Sequence, residues 1–88
     1  YHTYYLSLDM TLERARSKFG KFIGSLVETQ QGDIGIIIDV RMDGGSVRNQ
    51  YPCFVIEWYT NKAKVLYKSK PSWHTVTGIL CDTRWKIS

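Results

Sequence analysis

The histidine and cysteine candidates for metal ligation in this 88-residue chain are His2, His74, Cys53 and Cys81. Structural zinc takes four ligands, mostly in pairs about two to five residues apart, and no such pair occurs here. The spacing therefore reads as core thiols and ordinary histidines, with no metal and no cofactor expected. Nucleophilic catalysis needs a Cys or Ser beside a His with a third orienting group, and nothing in the spacing brings His74 to either cysteine. The carboxylates Asp33, Asp39, Asp43, Glu57 and Asp82 are scattered, and Gly44-Gly45 lacks the Lys-Ser/Thr that follows in a phosphate-binding loop. The chain is not expected to be an enzyme. Two cysteines are also too few for a secreted disulfide scaffold of this size, which carries about four to eight. They read as two buried free thiols in a reducing compartment, with one disulfide as the alternative.

Binding chemistry is better represented. From Trp58 to Cys81 there is no acidic residue, while Lys62, Lys64, Lys68 and Lys70 supply positive charge and Tyr59, Tyr67, Trp73 and His74 are interleaved with them. Lysines that neutralise phosphates and aromatics that stack on bases are the two requirements of single-strand binding. The nucleic-acid candidates are Tyr59, Lys62, Lys64, Tyr67, Lys68, Lys70 and Trp73. The competing explanation is that lysines on an exposed strand simply block edge-to-edge aggregation.

A second basic cluster, Arg14, Arg16, Lys18 and Lys21, faces only Glu13 nearby. It suits docking on nucleic acid or on an acidic protein partner, or it is the solvated side of an amphipathic helix. A membrane-surface role is disfavoured, because the apolar face of that helix is needed to cover a core. The segment before it carries Tyr4 and Tyr5, residue types enriched at interface anchors, in an arm that can add a strand to a neighbour. The protein-interface candidates are Tyr4, Tyr5, Arg14, Lys18, Trp73 and His74.

The elements that must position these residues follow from periodicity. Residues 1–8 read as an extended arm. Asp9 is placed to cap a helix over 10–19, in which Leu12, Ala15, Phe19 and Phe22 share one face and Gly20 is the stop. The period then changes to two. Strands are expected at 22–29, at 34–42 with Ile34, Ile36, Ile38, Val40 and Met42 on one apolar face, and at 53–59 with Phe54, Ile56 and Trp58 together. Asp43-Gly44-Gly45-Ser46 marks a turn and Thr60-Asn61-Lys62 a tight hairpin, after which 63–68 returns as a strand placing Lys64, Leu66 and Lys68 on one face. Trp85-Lys86-Ile87 is a last short strand, and 73–81 carries no clear pattern.

One helix followed by about five short strands predicts an antiparallel meander rolled into a small barrel. Composition agrees: 43% of residues are hydrophobic and 14% aromatic, enough for a core in one small domain. Apolar runs such as Ile36-Ile37-Ile38 fall far short of the roughly 20 residues that span a bilayer. The net charge of +4 permits nucleic acid or an acidic protein face as partner and requires neither.

The run Gly24-Ser25-Leu26-Val27, then Gly32-Asp33-Ile34-Gly35-Ile36-Ile37-Ile38-Asp39, then Tyr51 with Phe54-Val55-Ile56-Glu57-Trp58, and the closing Trp85-Lys86-Ile87, resembles an SH3-like barrel. It is most similar to small SH3-like proteins encoded by tailed bacteriophages, marine ones in particular, though Gly-Ser stands where those chains often have Gly-Asp. The resemblance covers residues 24–88, leaving 1–23 as a separate arm and amphipathic helix. It implies a five-stranded SH3-like antiparallel barrel in a virion component at the capsid, neck or tail. Its partners would be other virion proteins or copies of itself, and its location the virion or host cytoplasm.

Overall fold

The computed structural model describes residues 11–44, 49–68 and 70–88. Tyr4, Tyr5, Asp9, Gly45 and Ser46, and with them the arm and the centre of the expected turn, lie outside the described residues.

Helix α1 spans Leu12–Phe19. Its N-cap is Thr11, whose hydroxyl accepts from the Arg14 amide at 3.2 Å, so the capping role expected of Asp9 belongs to Thr11. Gly20 does not stop the helix in a left-handed conformation; its φ is −61°, and the chain tightens into a 3-10 turn over Gly20–Phe22. The left-handed glycine of this segment comes four residues later, Gly24, at φ +91°. That turn consumes the start of the strand expected from residue 22, and β1 runs only over Leu26–Thr29.

Strand β2 spans Ile34–Asp43 and β3 spans Tyr51–Trp58. The expected single apolar face of β2 is broken by a bulge between Ile37 and Asp39. An extra residue in one strand of an antiparallel pair inverts the alternation beyond it. Ile37 and Val40 are therefore both buried while Ile38, placed inside by strict alternation, is 40% exposed. On β3 the expected trio holds: Phe54, Ile56 and Trp58 all lie in the core.

Residues 63–68 do not return as a strand after a tight hairpin. Helix α2, Asn61–Leu66, takes the place of both. Ala63, Val65 and Tyr67 satisfy a period of two, but Ala63 and Tyr67 also satisfy i,i+4, and burial selects the second pattern. Ala63 is buried against the core and the Tyr67 amide closes the turn onto its carbonyl at 2.9 Å. Lysine, alanine and leucine favour helix in any case. Lys68, at φ 55°, then turns the chain away. Strand β4, Ser72–Thr75, leads directly into helix α3, Val76–Leu80, where the Thr75 hydroxyl caps Gly78 and the i,i+3 pair Val76 and Ile79 is buried. Strand β5 spans Trp85–Ile87, as the sequence suggests.

The five strands make one antiparallel sheet in the order β4-β3-β2-β1-β5. The expected closure is absent: β4 and β5 are the two edges of an open sheet. Phe19, Phe22 and Ala15 from the N-terminal helical region pack into the same core as Val27, Ile37, Val40, Phe54 and Val76.

Gly35, paired with Val27 on one side and Trp58 on the other, lies under β3 with no room for a side chain. A methyl there would meet Ile56 Cγ2 at 2.7 Å, the Glu57 carbonyl oxygen at 2.8 Å and Trp58 Cε3 at 3.0 Å. Gly35→Ala is expected to destabilise the fold by about 1–3 kcal/mol through overpacking, read as a lowered midpoint in urea unfolding monitored by tryptophan fluorescence.

Candidate functional site

The described surface is organised around the end of β3. Trp58 is 5% exposed. Its ring stacks on Tyr67 with centroids 5.5 Å apart and planes 10° apart. His74 from β4 and Trp85 from β5 approach at 6.1 and 5.9 Å, and their own rings are 5.1 Å apart. Offset and edge-on aromatic pairs at such distances add roughly 0.5–1.5 kcal/mol each beyond area burial. The Trp58 indole N–H donates to Ser72 Oγ at 2.7 Å, and the same oxygen lies 2.7 Å from His74 Nε2. An indole can only donate, so Ser72 accepts from it and has its own proton to give to a neutral imidazole. Burial pulls the His74 pKa below the ordinary 6.5, which favours that neutral form.

Two clefts open beside this indole. The first, about 240 Å³, is lined by Glu57, Trp58, Tyr59, Lys64, Lys70 and Pro71. Three nucleic-acid candidates, Tyr59, Lys64 and Lys70, thus converge. Tyr59 Oη donates to Glu57 Oε1 at 2.9 Å, and this hydrogen bond, with smaller help from desolvation and the Glu57 charge, raises the phenol pKa. Lys62 and Lys68 are exposed on and just after α2 but do not line this cleft. With α2 in place of a strand, the expected shared strand face of Lys64 and Lys68 does not exist. The second cleft, about 300 Å³, lies between the β1–β2 turn, α2 and β5, and Tyr67 is in its wall.

The interface candidates are dispersed. Trp73 and His74 are neighbours on β4 and therefore face opposite ways. His74 turns into the aromatic cluster, whereas Trp73 is registered with Val55 on the other side of the sheet and is 49% exposed. Arg14 and Lys18 are one helical turn apart on the outside of α1, both exposed. Arg16, expected on the solvated face with them, instead reaches the sheet, donating to the Val40 carbonyl at 3.3 Å and to the Asp39 carboxylate at 3.4 Å. Burial alone would raise the Asp39 pKa. The Val40 amide, the Arg41 hydrogen bond and the charges of Arg16 and Arg41 outweigh it and hold the carboxyl low.

Both cysteines are free. Cys53 is buried as expected, and burial with the nearby Asp43 charge pushes its thiol up to about 11. Cys81, expected to be buried too, is exposed, because it caps the C-terminus of α3. Cys53 is registered with Thr75 and so faces away from His74. Among the described residues, no three His, Cys, Asp or Glu side chains are grouped as metal ligands.

Sequence reasoning missed three parts of this site. Ser72 and His74 are two apart on a strand, a spacing that puts both on one face, but residues 73–81 had no readable period. In the sequence Asp33 is one of five scattered carboxylates, with nothing to mark it as buried. Val65 and Leu66 were assigned to a strand, which hid their exposure on α2. No protein-family model, curated protein or solved structure matches the chain.

Two measurements check the cluster. Ser72→Ala leaves the buried indole N–H without its acceptor and is expected to cost about 1–3 kcal/mol, seen as an earlier denaturation midpoint. For His74, the unfolded chain takes up a proton near pH 6.5 and the folded chain only below it. Stability is therefore complete above 6.5 and falls on acidification toward the lowered folded value, by at most about 1.4 kcal/mol per pH unit. Asp39 and Asp82, held below 3.8, act in a separate window, where stability present above 3.8 is lost as pH falls through their lowered values. In His74→Gln the upper slope should vanish and the lower one remain.

Proposed function

We propose that the protein is a non-enzymatic interaction module of SH3-like architecture whose contact face is the outer side of α2. For the architecture, support comes from the strand order, in which β5 returns to β1 while β4 flanks β3. The bulge that bends β2 and the 5.1 Å approach of His74 and Trp85, one from each edge strand, point the same way. By its resemblance to phage proteins, the module serves as a small virion component.

The observation that carries the functional reading is the exposure of Val65 and Leu66, at 80% and 67%, side by side on a six-residue helix. Scattered exposed aliphatics are ordinary. This pair differs in being framed by Lys62, Lys64, Lys68 and Lys70, all exposed. The three ion pairs among the described residues use Arg16, Arg41 and Arg84, so none engages these lysines. An apolar spot ringed by free cations complements a partner with an apolar centre and an acidic rim. Another copy docking through the same face would set four lysines against four, which favours a different protein as partner. The test is affinity capture of partners from cells producing the assembly, comparing the wild type with Val65→Ser/Leu66→Ser. Loss of the captured protein in the variant, with folding intact by circular dichroism, is the expected result; equal capture by both would sink the reading.

A second reading rests on a separate observation, the convergence of Tyr59, Lys64 and Lys70 on one cleft. Single-stranded nucleic acid could lay its backbone along the lysines with a base on Tyr59. Four phosphate contacts predict a log–log salt slope of about −3 in fluorescence anisotropy. Lys64→Glu/Lys70→Glu should reduce that slope by about half. No binding to DNA or RNA at the lowest salt would eliminate this reading.

A further inference from the structure

We infer that the cleft between the β1–β2 turn, α2 and β5 receives the cationic side chain of a partner polypeptide, a lysine ammonium or its methylated form, with Asp33 as counter-ion and Tyr67 and Trp85 as aromatic walls. This cleft shares only Trp58 with the one that holds Lys64 and Lys70, and it borders the α2 contact face at Leu66; Asp33 and the aromatic walls, not Leu66, carry the inference.

Asp33 is the starting point. It is 9% exposed, the buried charged residue among the described ones. Its backbone is pinned by Thr29, whose hydroxyl accepts from the Asp33 amide at 3.1 Å and whose amide donates to the Asp33 carbonyl at 2.9 Å. The carboxylate is pinned by Thr60, whose hydroxyl donates to Oδ1 at 3.2 Å. That leaves most of its acceptor capacity unused, and among the described residues no lysine or arginine forms an ion pair with it. Asparagine could accept the same Thr60 hydrogen bond, so holding Thr60 does not account for the charge at this position.

The surroundings supply the complement. Asp33, Trp58, Tyr67 and Trp85 line one space of about 300 Å³, enough for an ammonium head and its methylene stem. Aromatic faces attract cations, most strongly where water is partly excluded. The charge of Asp33 reaches this space: after burial, it is the second cause that raises the Tyr67 phenol pKa. The cation at the rim, Arg84, is committed elsewhere, with Nε and Nη2 on the Asp82 carboxylate at 2.8–3.2 Å. Residues 1–10 of the chain contain no lysine or arginine.

The test titrates Nα-acetyl-lysine methylamide, its Nζ-trimethyl form and the neutral Nα-acetyl-norleucine methylamide into the full chain, following the indole N–H signals by NMR. Both cations should shift the Trp58 and Trp85 signals in the tens-of-millimolar range or below, leaving Trp73, on the opposite side of the sheet, unmoved. The norleucine probe should bind at least ten-fold more weakly. Asp33→Asn, which keeps the Thr60 bond, should weaken the cations by about ten-fold or more and leave norleucine unchanged. Equal binding of the charged and neutral probes would overturn the inference, as would unchanged affinity in Asp33→Asn or shifts at Trp73 alone. The wild-type comparison of charged and neutral probes decides the matter even where the variant folds poorly.

Discussion

The indole of Trp58 is the largest apolar group that this small sheet buries, and it carries a donor that must find an acceptor once buried. Both requirements fall at the end of β3, where one strand alone could satisfy neither. The ring needs a floor, which Gly35 provides by having no side chain, and a lid, which Tyr67 provides by stacking. Its N–H needs an oxygen, which comes from Ser72 on the neighbouring strand. β2, β4 and the turn after α2 are thus tied to one side chain, and Trp85 brings β5 to it. In a domain this small, where little core is available, concentrating contacts on one ring is an efficient way to couple the two edges of an open sheet.

That constraint explains why α2 exists. A hairpin returning directly from Trp58 would place alternate residues over the two faces of the sheet and leave the indole face uncovered. One short helix instead brings Ala63 into the core and Tyr67 onto the indole, since residues four apart lie on one side. The helix is too short to bury a full stripe, so Val65 and Leu66 remain outside. The exposed apolar spot is a by-product of covering Trp58, and four exposed lysines lie next to it.

The same residues show where periodicity could be read and where it could not. Phe54, Ile56 and Trp58 alternate without interruption and their placement was legible, as were the core face of α1 and the last strand. Strict alternation misassigned β2 because a bulge adds one residue without any change in composition: Ile36, Ile37 and Ile38 are chemically alike, so nothing local says which is the extra one. Residues 63–67 fit both periods, and the deciding factor, an indole needing a lid, lies outside the segment. Thr11 and Asp9 are both good caps, and which one serves depends on where the helix must begin to bring Ala15 over the sheet. The candidate lysines were legible as a set, but their grouping depended on the helix that short-range pattern concealed.

Charge is divided in a way that follows from side-chain chemistry. The described ion pairs all use arginine, whose planar fork can hold two acceptors at once. Arg16 does this across elements, linking α1 to the Val40 carbonyl and Asp39, and Arg84 binds both oxygens of Asp82. Lysines, which are strongly hydrated point charges on flexible stems, stay in solvent. Arg16, Arg41 and Arg84 therefore serve the internal geometry, and the lysine charge stays in solvent. Asp33 departs from this division, being a buried anion without an arginine among the described ion pairs. Because Trp58 walls both clefts, a group seated beside Asp33 and one seated beside Lys64 and Lys70 would press on a single ring. That ring is held by Gly35, Tyr67 and Ser72, so the two clefts share one fixed wall.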